Sequence, residues 1–224
     1  MKSILSYDSP LMTMMRGVGN TMLLNIMFLL CCIPVITIGA AWTALFAAGR
    51  VLIEDGPCIK AYWKSFITSL KRATLAWLIL LPCLLLSVVT AVMVWRLRMA
   101  GMPLGQVSLV MSVVAIVLVL SIVTMTFLFY SRFECTLMQL LKNGVYMTIG
   151  YLVRSVIIAL LCWLPFIALF LNTDLFMRGF VVCLLLYFGA AGGLAAWLMK
   201  GPLNKLVESF CAAEEPAASG VENG

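Results

Sequence analysis

Residues 73–95 read ATLAWLILLPCLLLSVVTAVMVW, and not one of them is charged. A helix rising 1.5 Å per residue needs roughly 20 such residues to cross about 30 Å of hydrocarbon. Four further runs, at 17–49, 99–131, 155–173 and 179–199, are also free of charge. Backbone groups in lipid must be satisfied within the segment, and these runs lack the alternation of a barrel strand. The sequence therefore predicts membrane-spanning helices.

The predicted fold is all-α, a bundle of about five transmembrane helices in a single domain over residues 20–211. The spans are expected at 20–48, 73–95, 107–130, 155–173 and 179–199. A short N-terminal segment, 1–19, precedes them, and the polar tail at 212–224 is predicted to be disordered. Composition agrees with this class, since 64% of the residues are hydrophobic and the mean hydropathy is +1.12.

Composition also argues against several classes of function. The chain has no histidine and nine acidic residues, all outside the predicted spans. Neither a His-ligated metal site nor a buried proton relay is easily assembled from such a set. The sequence offers no nucleophile with a base beside it. We therefore expect a protein that is not an enzyme and that uses no cofactor, no metal and no nucleic-acid partner.

Basic residues predict an orientation. With five spans, the loops on one side of the membrane carry ten Lys and Arg residues, and those on the other side carry five. The richer side should be cytoplasmic. The sequence therefore predicts a multi-pass membrane protein with its N-terminus outside. The connections at 50–72 and 131–154, and the C-terminus, are expected inside.

The first inner connection predicts a cytoplasmic amphipathic helix over residues 58–72. Glu54, Asp55 and Pro57 form a helix-start signal, because acids favour the positive end of a helix and proline suits its first turn. Apolar side chains then recur at helical spacing, with basic ones on the other face. The candidate surface for a partner or anionic lipid comprises Lys60, Trp63, Lys64, Phe66, Lys71 and Arg72. A helix packed on the inner end of the bundle would show the same pattern, and both interpretations stay open.

The first predicted span is unusually long and contains a break. As one helix, residues 20–48 would measure about 43 Å, and Pro34, Thr37 and Gly39 interrupt them. A kinked or tilted helix explains the length, and so does a re-entrant hairpin that leaves both termini inside. A discontinuous helix lining a polar site is a third interpretation. The candidate residues of such a site are Asn25, Pro34, Thr37 and Gly39.

Small residues indicate where helices pack. In the last span Gly189 and Gly193 are four residues apart, and in the first span Gly39, Thr43 and Ala47 repeat the same interval. Spacing of four lets two backbones approach closely, which provides packing energy in lipid. The sequence leaves open whether these faces pack within the protein or form a homodimer.

One long stretch carries a family resemblance. It consists of LLNIMFLLCCIPVITIGAAWTALFAAGRVL (23–52), the acidic turn EDG (54–56) and YWKSFITSLKRATLAW (62–77). It combines an Asn-led apolar helix, a Pro-x-x-Thr-x-Gly break and an aromatic-Trp-Lys-x-Phe basic segment. In this combination the stretch resembles the YesL family of bacterial membrane proteins.

The resemblance implies a multi-span protein of the bacterial plasma (inner) membrane. Similar proteins are frequently encoded beside binding-protein-dependent sugar importers and polysaccharide-degrading enzymes. No activity is established for the family, so no catalytic residue is carried over. We expect an accessory protein, surrounded by membrane lipids, that assists or regulates a carbohydrate ABC-type transporter by protein-protein contact. The alternative is a small permease or channel for an uncharged solute, for which the broken first span provides the argument.

Overall fold

The computed structural model describes residues 10–54, 56–100, 105–133, 135–171 and 186–204, and every regular element in these ranges is helical. The helices are α1 (Pro10–Cys32), α2 (Ile38–Ile53), α3 (Cys58–Met99), α4 (Gly105–Tyr130), α5 (Leu137–Gly150), α6 (Leu152–Leu171) and α7 (Phe188–Leu198). A 3₁₀ turn, Val35–Thr37, joins α1 to α2. The predicted all-α class is confirmed for this part of the chain.

Four helices, α1 to α4, are long and apolar enough to cross a membrane. The pair α5 and α6, bent by 108° near Tyr151, becomes a fifth candidate if the two helices form one span. These counts rest on length and composition of the described residues and are consistent with a multi-pass membrane protein. The end of the predicted span at 155–173 and the start of that at 179–199 lie outside the described residues, as does the tail.

The long first apolar run forms two helices instead of one. Pro34 has no amide hydrogen to donate and disfavours helical geometry at Ile33, so α1 ends at Cys32. The chain makes its 3₁₀ turn, and α2 begins at Ile38. The predicted span at 20–48 is therefore divided at its proline.

The two helices fold back on each other as a hairpin. Gly189 of α7 lies against Thr21 in α1, and Gly192, less than one turn later, lies against Leu45 in α2. In one continuous helix Thr21 and Leu45 would be about 36 Å apart, too far for a single turn of α7 to reach both. The sequence leaves open whether the first apolar run is a kinked helix or a hairpin. The structure shows the hairpin and excludes a single kinked helix.

Helix α2 lies at the centre of the bundle. Its residues from Gly39 to Gly49 are all buried, and α1, α3, α4 and α7 pack around it. Most of these positions are glycine or alanine, which let neighbouring backbones approach closely. Trp42 fills a larger space, with its ring 5.1 Å from that of Phe28 in α1 and 6.1 Å from that of Trp163 in α6.

The predicted amphipathic helix is not a separate element. Residues 58–72 are the first part of α3, which runs unbroken to Met99. The junction KRATLAW (71–77) contains no Pro or Gly that would end a helix, and Pro82 lies inside α3 without ending it. Helix α3 packs against α4 as well as α2, and beyond Trp77 most of its large apolar side chains are exposed.

Candidate functional site

Polar groups at the break between α1 and α2 bond to one another and to α3. Thr37 Oγ1 lies within donor distance of two carbonyl oxygens, Cys31 O at 2.7 Å and Pro34 O at 2.9 Å. From α3, Trp77 Nε1 donates to Val35 O at 2.9 Å. These carbonyls of the turn therefore find donors within the protein, which is how irregular backbone is tolerated in a membrane protein.

Gly39 and Asn25, the other residues of the predicted polar site, are both buried. A Cβ atom on Gly39 would lie 2.7 Å from Ala73 O and 2.8 Å from Trp77 Cβ, so the contact between α2 and α3 requires glycine. Asn25 lies on the buried face of α1, about two turns before the end of that helix. The structure brings Pro34, Thr37 and Gly39 together in a packed turn and places Asn25 apart from them.

Several hydroxyl side chains of α3 and α4 donate to their own helices, whereas the buried hydroxyl of Thr74 in α3 has no hydrogen-bond partner among the described residues. The oxygens of Thr90, Ser121 and Thr126 lie 3.0, 2.7 and 2.7 Å from carbonyl oxygens one turn earlier. Thr124 donates in the same way to Leu120 O at 2.7 Å, and it also accepts a hydrogen bond from Trp163 Nε1 at 3.2 Å. The hydroxyl donors of Thr90, Ser121, Thr124 and Thr126 are therefore used within the protein.

A stripe of basic and large apolar side chains runs along the first part of α3. We call it the basic stripe, and its members are Lys60, Trp63, Lys64, Ile67, Thr68, Lys71 and Arg72. All seven are exposed, Trp63 at 50% and Ile67 at 60% of their full accessible area. Intervals of three and four residues place them on one face. The sequence pattern assigns Trp63 and Ile67 to an apolar face, whereas the structure places them among the bases.

Two contacts anchor the basic stripe to the rest of the protein. The Phe66 ring, which is partly buried, lies 6.2 Å from Tyr62 and 5.9 Å from Trp63. Because Tyr62 is fully buried, this stack joins the exposed Trp63 to the core. At the far end, Arg72 Nη1 donates to Cys135 O at 3.2 Å. Burial raises the pKa of the Cys135 thiol, and the charge of Arg72 opposes this shift.

Acidic residues are scarce in the described part of the chain. Of the nine acids in the sequence, Glu54 alone lies among the described residues, which include twelve Lys and Arg residues. The basic stripe carries four positive charges and no negative one. It therefore presents a cationic surface interrupted by two large apolar side chains.

A second charged cluster joins the ends of α2 and α4 to residues beyond α7. Arg132, just after α4, donates from Nη1 to Asn204 Oδ1 at 2.8 Å. Burial lowers the pKa of Arg132, the charge of nearby Arg50 lowers it further, and Glu54 opposes the shift. Sequence reasoning misses this cluster. Its only signal in the sequence is that Arg50 and Arg132 each end a long apolar run.

The predicted packing glycines differ in how closely they are packed. A Cβ atom on Gly189 would lie 2.8 Å from Thr21 Cγ2, whereas one on Gly193 would meet only Gly49 O, at 3.9 Å. Between α2 and α7 the backbones approach closely at Gly49, where a Cβ atom would lie 2.6 Å from the carbonyl carbon of Gly192. These contacts join α7 to α1 and α2 within one chain.

The described residues include one shallow apolar groove and no cluster suited to a metal. Among them, no group of three or more Cys, Asp or Glu side chains is placed to hold a metal ion. The groove has a volume of about 420 Å³ and is lined by Leu52, Ile53, Gly189, Ala190, Gly193, Leu194 and Trp197. Because its lining has no ionisable side chain, it suits an acyl chain better than a polar solute.

Part of the chain is similar to a family of unknown function. The family described as "Protein of unknown function, DUF624" has a model that matches residues 21–91. The match includes the second half of α1, all of α2 and the greater part of α3, and so covers both the break and the basic stripe. No curated protein and no solved structure matches the chain. The similarity is therefore to an uncharacterised family and assigns no chemistry to any residue.

Proposed function

We propose that this protein is an accessory protein of the bacterial inner membrane that works by protein-protein contact. The observation that carries the proposal is the basic stripe of α3, which is exposed, cationic and supported by the stacked rings of Tyr62 and Phe66. A tryptophan and an isoleucine among lysines combine apolar contact area with charge. The surface that complements it is an acidic, amphipathic segment of a partner membrane protein.

The partner in this proposal is a carbohydrate transporter of the ABC type. Its support is the resemblance to the YesL family, whose members are frequently encoded beside sugar importers. The similarity of residues 21–91 to a family of unknown function is compatible with this assignment. We expect lipid to surround the exposed apolar side chains of α4 and of the part of α3 beyond Trp77.

The proposal includes an orientation with both termini in the cytoplasm. A hairpin of α1 and α2 returns the chain to the side from which it entered, so the start of α1 and the end of α2 share one side. Arg96, Arg98 and Arg178 then remain as the outer bases, and the other twelve lie inside. This bias is stronger than the ten-to-five division of the N-outside prediction, and it places the basic stripe on the cytoplasmic side.

A permease for an uncharged solute has less support. That alternative depends on polar groups at the break and in the spans. At the break, the Thr37 hydroxyl and the Trp77 indole bond to carbonyls of the turn. Hydroxyls of α3 and α4, such as Thr90 and Ser121, donate to their own helices. These groups are engaged with the protein itself, whereas the basic stripe is exposed.

A photo-crosslinking amino acid at Ile67 tests the proposal in cells. We expect a discrete adduct with a transporter subunit, identified by mass spectrometry. The adduct should become about tenfold weaker in K60Q/K64Q/K71Q, which corresponds to a loss of about 1.4 kcal/mol of binding free energy. The matched control, R96Q/R98Q/R154Q, also removes three exposed charges and should leave the adduct unchanged. A crosslinker at the exposed Leu86, beyond the stripe, should give no such adduct.

Three results would overturn this proposal. One is an Ile67 adduct whose yield is the same in wild type and in K60Q/K64Q/K71Q. Another is crosslinking of Ile67 to lipid alone, which would make the stripe a membrane-surface anchor. The third is saturable flux of an uncharged sugar through the purified protein in vesicles with no partner present. Because all three lysines are exposed, the triple variant should fold, and its detergent melting temperature checks this.

A further inference from the structure

We infer that the tip of the α1–α2 hairpin inserts into the hydrocarbon of one leaflet, on the side of the basic stripe, and that the hairpin does not cross the membrane. The tip consists of four consecutive apolar residues, Ile33, Pro34, Val35 and Ile36, and all four are exposed. Ile33 keeps 74% of its full accessible area, and Val35 and Ile36 each keep 58%. An exposed apolar patch of this kind is typical of a surface that contacts a membrane or a partner, and the acyl chains of lipids are the partner inferred here.

The backbone of the tip is suited to hydrocarbon. Thr37 Oγ1 lies within donor distance of Cys31 O and Pro34 O, and the Thr37 amide donates to Pro34 O at 3.0 Å. From α3, the Trp77 indole donates to Val35 O at 2.9 Å. In water such carbonyls could bond to solvent, whereas in lipid they must find donors within the protein. The bonds of the turn therefore meet the requirement that hydrocarbon imposes on irregular backbone.

The contact with α3 indicates how deep the tip lies. Helix α3 is unbroken, and its uncharged residues 73–95 are about 34 Å long, enough to cross about 30 Å of hydrocarbon. The exposed Arg72 and Arg96 flank this segment, and charged side chains are costly in hydrocarbon. Trp77 lies five residues after Arg72, about 7.5 Å along the helix. Val35, which is bonded to Trp77, therefore lies about a quarter of the way into the membrane.

Helix α2 leads from the tip back toward the basic stripe. Gly39, in the first turn of α2, lies against Ala73 of α3, and α3 begins a short turn after α2 ends. Helix α2 therefore lies beside the part of α3 that carries the stripe, and not beside residues 78–95. Its apolar composition is explained by its place in the core, since residues from Gly39 to Gly49 are all buried. The inference depends on this geometry and not on the proposed partner, so either can fail without the other.

A nitroxide attached at Val35 tests the depth of the tip. The full-length protein, in a variant that lacks the native cysteines, is purified into nanodiscs of phosphatidylcholine and phosphatidylglycerol. A nitroxide in hydrocarbon collides often with oxygen and rarely with a water-soluble nickel chelate. By this measure V35C should lie deeper than T68C in the basic stripe and shallower than L86C, and all three positions are exposed. Leu86 lies nine residues beyond Trp77, about 13 Å along α3.

Polar substitutions at the tip provide a second measurement. I33S/I36S removes two exposed isoleucines from the tip, so the Val35 nitroxide should lose its lipid-like signal and collide more often with the nickel chelate. The matched control, I53S/I67S, removes two exposed isoleucines elsewhere and should leave the signal unchanged. Because all four side chains are exposed, both variants should fold, and their detergent melting temperatures check this.

Each of the other results would overturn the inference. A water-like signal at Val35, equal to that of T68C, would mean that the tip lies in water or emerges on the far side. A depth equal to or greater than that of L86C would mean that the hairpin reaches the middle of the membrane. Few collisions with either reagent would mean that a second copy or another protein covers the tip. Equal signals in I33S/I36S and I53S/I67S would show that the isoleucines of the tip do not hold it in lipid.

Discussion

At the scale of single residues, three side chains with different roles make the turn between α1 and α2. Pro34 ends α1, Thr37 donates to carbonyls of the turn, and Gly39 lets α2 approach α3. The sequence identifies all three as a break, because proline and glycine act through local backbone geometry. It does not identify Trp77, 42 residues after Val35, as the donor to the turn, since that contact exists only when α3 is packed.

Replacing Gly39 by alanine tests this close approach. A methyl group there would lie 2.7 Å from Ala73 O and 2.8 Å from Trp77 Cβ, so helices must move apart. Overpacking of this kind costs about 1–3 kcal/mol, and each kcal/mol lowers the melting temperature of a domain of this size by about 2–4 °C. G39A should therefore melt several degrees below wild type in mild detergent.

G193A is the matched control for that measurement. Its new methyl group would meet only Gly49 O, at the ordinary contact distance of 3.9 Å, so its melting temperature should stay close to that of wild type. If G39A melts at the same temperature as G193A, then the backbones of α2 and α3 are not in close contact and the packing described for the core is incorrect.

At the scale of elements, changes in polarity and changes in backbone direction do not coincide. The change from basic to apolar residues after Arg72 indicates a change in environment. Helix α3 nevertheless continues past this point, because the junction contains no Pro or Gly that would end it. The apolar run from residue 20 to 48 contains no charged residue that would mark a boundary, yet the chain turns within it, at Val35–Thr37. Hydropathy therefore predicts the number of apolar segments better than the places where helices end.

Disulfide crosslinking tests the hairpin directly, in a variant that lacks the native cysteines. T21C/G189C and L45C/G192C should both crosslink on oxidation. A Cβ atom on Gly189 would lie 2.8 Å from Thr21 Cγ2, and one on Gly192 would lie 2.9 Å from Leu45 Cγ. These distances bring both pairs close to the Cβ separation of about 3.5–4.5 Å that a disulfide requires.

A continuous helix makes a different prediction. With Thr21 and Leu45 about 36 Å apart, one pair could crosslink and the other could not. L23C/G189C is the negative control, because Leu23 lies on the exposed side of α1. Crosslinking of L45C/G192C without crosslinking of T21C/G189C would exclude the hairpin.

At the scale of the whole molecule, the hairpin changes the expected topology of the termini. Cysteines introduced at Asp8 and Thr68 should be protected from an impermeant thiol reagent in intact cells, and one introduced at Leu104 should react. Permeabilised cells are the control, since all three positions should then react. If the cysteine at position 8 is labelled in intact cells, the result supports the N-outside orientation and contradicts the proposal that both termini are cytoplasmic.

The basic stripe and the charged cluster of Arg50 and Arg132 differ in how far the sequence reveals them. Lys60, Lys64 and Lys71 lie on one helical face at intervals that are visible in the sequence, so the local pattern is enough to recognise the bases of the stripe. Arg50 and Arg132 lie far apart in the chain and on different helices. Their charges interact only because α2 and α4 pack against each other, and no local pattern carries that information.

Local sequence is sufficient to predict the all-helical class, helices consistent with a multi-pass membrane protein, and the break at Pro34. These properties depend on the hydropathy of each segment and on backbone chemistry that acts within a few residues. Three features emerge only from the packed bundle: the hairpin of α1 and α2, the inclusion of residues 58–72 in α3, and the charged cluster shared by the ends of α2 and α4. The physical reason is that these features depend on side-chain fit between helices distant in the chain, and hydropathy does not encode that fit.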